Sequence, residues 1–255
     1  MKKCFLILTI LMSVCILAAC GKKAGDSAGR NTDSNEPTLS DEAATHYQFV
    51  YPVEGDLCAD IEILDYGHIY IKLFAEEAEY ACDNFVTKAR NGEYDGTSIS
   101  NWVNGYYIQG GQPLDKTKKE ESIWGGGFSN EISEKLLPVR GAVCMANQGV
   151  NGTNAMQFFF VTTPAEVVAA LDEPLRERYG LGLKDYLKSN YNANLTDDQL
   201  NMFYTYGGAP WIYGHNTVFA QVFDGFDVLD ALENALEEND SSSIYIKKIT
   251  IYEHV

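Results

Sequence analysis

Basic side chains are scarce in this chain. Its 255 residues include 19 Lys and Arg against 36 Asp and Glu, a formal net charge of -17 at pH 7. So acidic a surface lacks the cations that nucleic acid or an anionic bilayer recruits, so no nucleic acid partner is expected. Histidine is sparse too: His46, His68, His215 and His254 are scattered along the chain. Of six cysteines, Cys4, Cys15 and Cys20 stand near the start. The other three, Cys58, Cys82 and Cys144, are an odd set at spacings that match no metal pattern. No metal and no cofactor is therefore expected. Cys82 and Cys144 lie in apolar contexts and should pack as small hydrophobes, while Cys58 is left open to a disulfide. Beyond the first residues no apolar run is long enough to span a bilayer.

What is present begins at that start. Lys2 and Lys3 precede the apolar run Cys4 to Leu17, which ends in Leu17-Ala18-Ala19-Cys20. A basic flank, a short apolar stretch and small residues before the end make a secretory signal. With cysteine directly after them, the segment resembles a bacterial lipoprotein signal. That resemblance implies cleavage after residue 19 and lipid on the Cys20 thiol. Residues 20–47 are rich in Gly, Ser, Asn, Asp, Thr and Ala. They cannot bury enough surface to order themselves, and a coil of this kind has a reach of roughly 25–30 Å. The expected arrangement is a monomeric body, residues 48–255, tethered to the extracytoplasmic face of the cell membrane.

Within that body most segments alternate. Ala59-Asp60-Ile61-Glu62-Ile63-Leu64 and Gly67-His68-Ile69-Tyr70-Ile71-Lys72-Leu73-Phe74 read as half-buried strands joined at Asp65-Tyr66-Gly67. A helix is expected from about Glu76 to Asn91, with Tyr80, Cys82, Phe85, Val86 and Ala89 as its apolar face and Gly92 as its stop. Further strands fall near 97–103, 106–109, 141–146, 157–162 and 217–223. A second helix runs from about Phe226 to Leu236, and a last strand from Ile244 to Tyr252. The pattern is mainly β and fits a closed antiparallel barrel, which removes sheet edges, with two flanking helices. One stretch departs from it. Thr163-Pro164-Ala165-Glu166 reads as an N-cap, a first-turn proline and a capping-box Glu. Thr196-Asp197-Asp198-Gln199 reads as a second capping box. Residues 164–208 are therefore expected to be a helical insertion.

Several short motifs occur in a fixed order: Asp83-Asn84-Phe85, Tyr94-Asp95-Gly96-Thr97, Tyr107-Ile108-Gln109-Gly110-Gly111, Arg140-Gly141, Met145-Ala146-Asn147, Gln157-Phe158-Phe159 and Gly214 with Thr217-Val218-Phe219. Each alone is weak, but together they resemble the cyclophilins, barrel-fold peptidyl-prolyl cis-trans isomerases. The resemblance covers about Ala59 to Tyr252, less the insertion. It implies a proline pocket of Tyr106, Tyr107, Phe159 and Ile212, where the family usually has Phe, Met, Phe and Leu. It implies that Gln109 assists rotation about the X–Pro bond and that Ala146 and Asn147 pair with the substrate backbone. Gln157 and Trp211 would line the groove.

Two positions depart from the family. Its catalytic arginine falls on Asn101, and its pocket histidine on Asn216. Asn101 keeps an N–H donor, but a short neutral one. By analogy with single oxyanion donors, the loss of the charge is expected to lower the rate roughly 10²–10³-fold. Arg90 and Arg140 are not expected to reach the site, whereas Arg176 or Arg178 in the insertion could fold over it. The resemblance thus implies an isomerase of reduced activity acting on proline-containing segments of exported proteins. The alternative is a module that binds such segments without catalysis.

Overall fold

The computed structural model describes residues 46–99, 101–115, 117–238 and 244–255. The signal-like start, Cys20 and most of the 20–47 segment lie outside the described residues.

Eight strands form one antiparallel sheet: β1 Leu57–Ile63, β2 Gly67–Leu73, β3 Asn101–Val103, β4 Tyr107–Gly110, β5 Ala142–Met145, β6 Phe158–Val161, β7 Val218–Asp224 and β8 Ile246–Glu253. Their order across the sheet is β3-β4-β6-β5-β7-β2-β1-β8. The sheet curls until its ends approach, and Ser98 bridges both Gln112 and Tyr245. Helix α1, Glu79–Arg90, and helix α6, Phe226–Glu238, flank it. Between β6 and β7 lie four further helices, α2 Ala165–Ala169, α3 Asp172–Tyr179, α4 Leu183–Tyr191 and α5 Asp197–Tyr206.

Strand alternation sends side chains to two separate cores. The inner one holds Ile61, Ile71, Ile108, Val143, Phe158 and Phe160, with Phe85 of α1 and Leu232 of α6. The outer one holds Cys144, Phe159 and Val161 together with Leu175, Leu187 and Phe203 of the inserted helices. The helices therefore cover the outer face of β5 and β6. The cover starts and ends against the sheet: Gly208 donates its N–H to Thr163 O (2.8 Å) and Ala209 donates to Pro138 O (2.8 Å). A Cβ on Gly207 would lie 2.2 Å from Thr163 O, and one on Gly208 2.5 Å from Pro138 O, so the returning chain needs both glycines.

The Thr196 box forms in full, Gln199 N donating to Thr196 Oγ1 (3.1 Å) and Thr196 N to Gln199 Oε1 (3.0 Å). The box expected at Thr163 does not form. Thr163 is buried with its hydroxyl directed to Tyr106 O (3.5 Å), and Pro164 itself is the N-cap of α2. Helix α1 begins at Glu79 rather than near Glu76, and Tyr80 is not on its apolar face. It stands on the opposite side of the helix from Cys82, 55% exposed, with its ring against Trp124 (centroids 5.3 Å apart). Cys58, Cys82 and Cys144 are all buried and free, so the disulfide left open for Cys58 is not made. Burial pushes the Cys58 thiol up to about 11.

No side chain of α1 caps its start. Glu131 does so from a distant loop, its carboxylate accepting from Tyr80 N and Ala81 N, each at 2.9 Å. A carboxylate at a helix N-terminus satisfies orphan donors and complements the dipole. Glu131→Ala should cost about 1–2 kcal/mol in chemical denaturation, and Glu131→Gln, which keeps one acceptor, should cost less.

Candidate active site

The register places one row of side chains across the outer face. Asn101 pairs with Gln109, Gln109 with Phe159, Phe159 with Cys144, and Cys144 with Val218. Tyr107, two residues before Gln109, shares that face and pairs with Val103 and Val161. Tyr106 ends the β3–β4 turn, and its ring stands edge-on to Tyr107 (4.9 Å) and Trp211 (5.2 Å). Tyr107 in turn stands edge-on to Phe159 (5.6 Å). Ile212, in the 3-10 turn Pro210–Ile212, packs on the same cluster, as does Ala146. The structure thus assembles Tyr106, Tyr107, Phe159, Trp211 and Ile212 from three separate stretches of chain.

Their exposure is unequal. Tyr106, Tyr107 and Ile212 are half-buried, whereas Phe159 is 7% and Trp211 5% exposed. Trp211 therefore backs the wall behind Tyr106 and offers a ligand little surface. The backbone beside this wall is held tightly. Gly111 has φ +88, and a Cβ on Gly110 would meet Ile99 and Ile246 at 3.1 and 3.2 Å, which explains the glycine pair after Gln109.

The polar groups form two sets. In the first, Asn101 Nδ2 donates to the Tyr107 hydroxyl (2.8 Å), and Gln109 Nε2 donates to Gln157 Oε1 (2.6 Å). Gln157 Nε2 donates in turn to the carboxylate of Glu120. A carboxylate only accepts, so Glu120 orients both glutamine amides. Burial raises the Tyr107 phenol above its usual range, opposed by the bond from Asn101. The second set holds loops. Asn216 Nδ2 donates to Met145 O (3.1 Å), and Asn147 Nδ2 and Asn130 Nδ2 both donate to His215 O (3.0 and 2.7 Å). His215 Nε2 lies 2.6 Å from Tyr191 O, which ties this loop to α4.

Glu120, Asn130 and His215 escaped the sequence reading. They lie in loops without periodicity, and only folding brings them to the site. Arg140, Arg176 and Arg178 are engaged elsewhere. Arg176 pairs with Asp172 on its own helix (2.5 Å), Arg178 lies over the Tyr179 ring (5.5 Å) and Arg140 pairs with Asp230. Neither Arg176 nor Arg178 folds over the row. Both are held along α3, the first by a partner one turn away and the second by the ring of the next residue. Among the described residues no group of three His, Cys, Asp or Glu is placed to hold a metal ion.

One acidic group supports the site from behind. Glu233 of α6 accepts from Gly105 N (3.0 Å) in the β3–β4 turn and from Thr162 Oγ1 (2.6 Å) at the end of β6. Thr162 N donates to Tyr106 O (2.9 Å), so this carboxylate braces the turn that carries Tyr106.

Residues 58–254 match the family described as cyclophilin type peptidyl-prolyl cis-trans isomerase/CLD. A Staphylococcus aureus protein named "Putative peptidyl-prolyl cis-trans isomerase" is 34% identical over 176 residues, covering 66% of this chain and 77% of its own. A Staphylococcus haemolyticus protein of the same name is 35% identical over 168 residues, covering 66% and 76%. Among solved structures, a Cryptosporidium parvum cyclophilin type isomerase aligns with a TM-score of 0.56 and 26% identity, over 78% of this chain and 99% of that one. The same protein, solved in the presence of the dipeptide Ala-Pro, aligns with a TM-score of 0.54.

Glu233 generates a pH prediction. Burial raises its carboxyl above the usual range, against the bonds from Thr162 and Gly105 and the charge of Arg140, and with added repulsion from Asp230. An acid raised in the folded state contributes stability below its unfolded value, ~4.3, and loses it as pH rises through the folded value. Glu233→Gln keeps an acceptor and removes the charge. Its stability relative to wild type should therefore increase from pH 4 to neutrality, as read by denaturation at the two ends.

Proposed function

The chain belongs to the cyclophilin-type peptidyl-prolyl cis-trans isomerases, and from that membership we propose a slowed isomerase that assists folding of exported chains at the outer face of a membrane. The observation that carries this reading is the outer row: a half-buried apolar wall, Tyr106, Tyr107 and Ile212 over Phe159, beside the amides of Asn101 and Gln109.

Rotation about an X–Pro bond has a barrier of about 18–20 kcal/mol from amide resonance and needs no covalent step. The wall would hold the proline ring while the preceding residue turns. A donor aimed at the prolyl nitrogen favours the twisted amide, in which the lone pair is uncoupled from the carbonyl, and so stabilises the transition state more than the substrate. Gln109, oriented through Gln157 by Glu120, meets its ligand already aligned. Closure of the sheet into a barrel, supported by the bonds of Gly96 N to Ile246 O and of Ile99 N to Ile244 O, keeps the row at fixed spacing.

Location rests on the sequence: the signal-like start, Cys20 and the polar tether. No described helix is long and apolar enough to cross a membrane. The proposed attachment is lipid on Cys20, which rests on the sequence at the start of the chain, with the body a monomer. The alternative of a non-catalytic proline-peptide binder is favoured by one observation. The amide of Asn101, where the family has its arginine, is already bonded to Tyr107.

NMR exchange on a short X–Pro peptide, with the full chain purified in mild detergent, tests the choice. Wild type should accelerate exchange, and Asn101→Arg should raise kcat/KM by about 10- to 100-fold. Peptide binding without acceleration in wild type would assign the binder instead.

A further inference from the structure

We propose that the phenolic hydroxyl of Tyr107 is the hydrogen-bond donor to the prolyl nitrogen in this protein, in place of the missing guanidinium. The inference rests on the isomerase reading above and names the group that performs it.

The first support is position. Tyr107 pairs with Val103 and Asn101 with Gln109, so Tyr107 and Asn101 are diagonal neighbours on one face, a spacing that a long aromatic side chain spans. The ring edge completes the apolar wall against Tyr106 and Phe159, while the hydroxyl extends to β3. One residue thus offers a ring to pack on proline and a polar tip at the strand where the charged donor is absent.

The second support is the direction of the hydrogen bond. A phenol has one proton and accepts through its oxygen. Asn101 Nδ2 donates to that oxygen at 2.8 Å, so Tyr107 does not spend its proton on Asn101. No acceptor for it is found among the described residues. A donor into the oxygen also polarises the O–H and strengthens it as a donor. The remaining polar groups nearby are engaged with one another. Gln109 donates to Gln157, Gln157 to Glu120, Asn216 to Met145 O and Asn147 to His215 O.

The third support is chemical. The twisted amide needs a donor to its nitrogen and no proton transfer, so the proton stays on the phenol and no base is required. Burial, which raises the phenol, keeps it protonated throughout the neutral range. An uncharged O–H in a half-buried place is a weaker donor than a guanidinium but a shorter and more acidic one than an amide N–H. This fits an isomerase that is slowed but not silenced.

The test compares wild type, Tyr107→Phe, Asn101→Asp and the double variant by NMR exchange on an X–Pro peptide, with affinity measured separately by titration. Tyr107→Phe keeps the ring and should lower kcat/KM by about 10- to 100-fold while Kd changes less than about twofold. Asn101→Asp keeps a bond to Tyr107 but reverses it, since a carboxylate can only accept and captures the phenolic proton. It should lose rate to the same extent, with no further loss in the double variant. A purely structural role for the pair would leave Asn101→Asp active, because the bond survives. Wild-type rate should be flat between about pH 6 and 9. If Tyr107→Phe is as fast as wild type, or faster, the hydroxyl is not the donor and the inference falls, while the isomerase reading stands. If wild type does not accelerate exchange at all, the isomerase reading falls and takes this inference with it.

Discussion

Strand β6 is buried on both faces, and the arrangement of the molecule follows from that. Phe158 and Phe160 point into the inner core, and Phe159 and Val161 point the other way into the outer one. Covering such a strand on the inside is the work of the curled sheet with α1 and α6. Covering it on the outside requires a second layer, and the chain supplies one directly after β6 as helices α2 to α5. Each large side chain so buried contributes about 1.5–3 kcal/mol. The outer core is thus a substantial part of the fold and not an ornament on it.

The candidate site lies where that outer cover stops. Phe159 and Trp211 are under it, while Tyr106, Tyr107 and Ile212 stand at its rim, half-buried. A rim of this kind combines a rigid apolar wall with access for a peptide. The same logic accounts for the loop anchors. Asn84 of α1 is fully buried, donating to Ala155 O (2.6 Å) and accepting from Ile123 N (3.0 Å), and so ties both loops that flank Gln157 to one helix. Asn130, Asn147 and Asn216 fasten the 215–217 segment in the same way. Asparagine suits this work because it offers donor and acceptor together without a charge to bury.

Much of this was legible from residue order. Alternation marked β1, β2 and β8, and the apolar stripe of Cys82, Phe85, Val86 and Ala89 marked α1. The Thr196–Gln199 box marked the start of α5, since its partners are only three residues apart. Readings that depended on surroundings fared differently. Thr163 has the residue type of a cap, but its hydroxyl lies in the outer core beside Tyr106 O. Tyr80 is aromatic yet falls on the wrong side of its helix. Arg176 is long enough to reach a neighbouring groove and instead closes on Asp172 one turn away. Glu120 had no local signal at all, because its role depends on Gln157, thirty-seven residues distant.

What the sequence by itself determined is the family, the set of residue types at the groove and the absence of an arginine at position 101. These are local facts, carried by motif order and identity. Only the tertiary structure decided which hydrogen bonds those residues make. It joined Asn101 to Tyr107 across two strands and Gln109 through Gln157 to Glu120 across a loop, and it set the inserted helices on the outer face of β5 and β6. The physical reason is that a hydrogen bond's direction and a side chain's cover depend on partners far along the chain. Only strand register and the packing of the two cores bring those partners within reach.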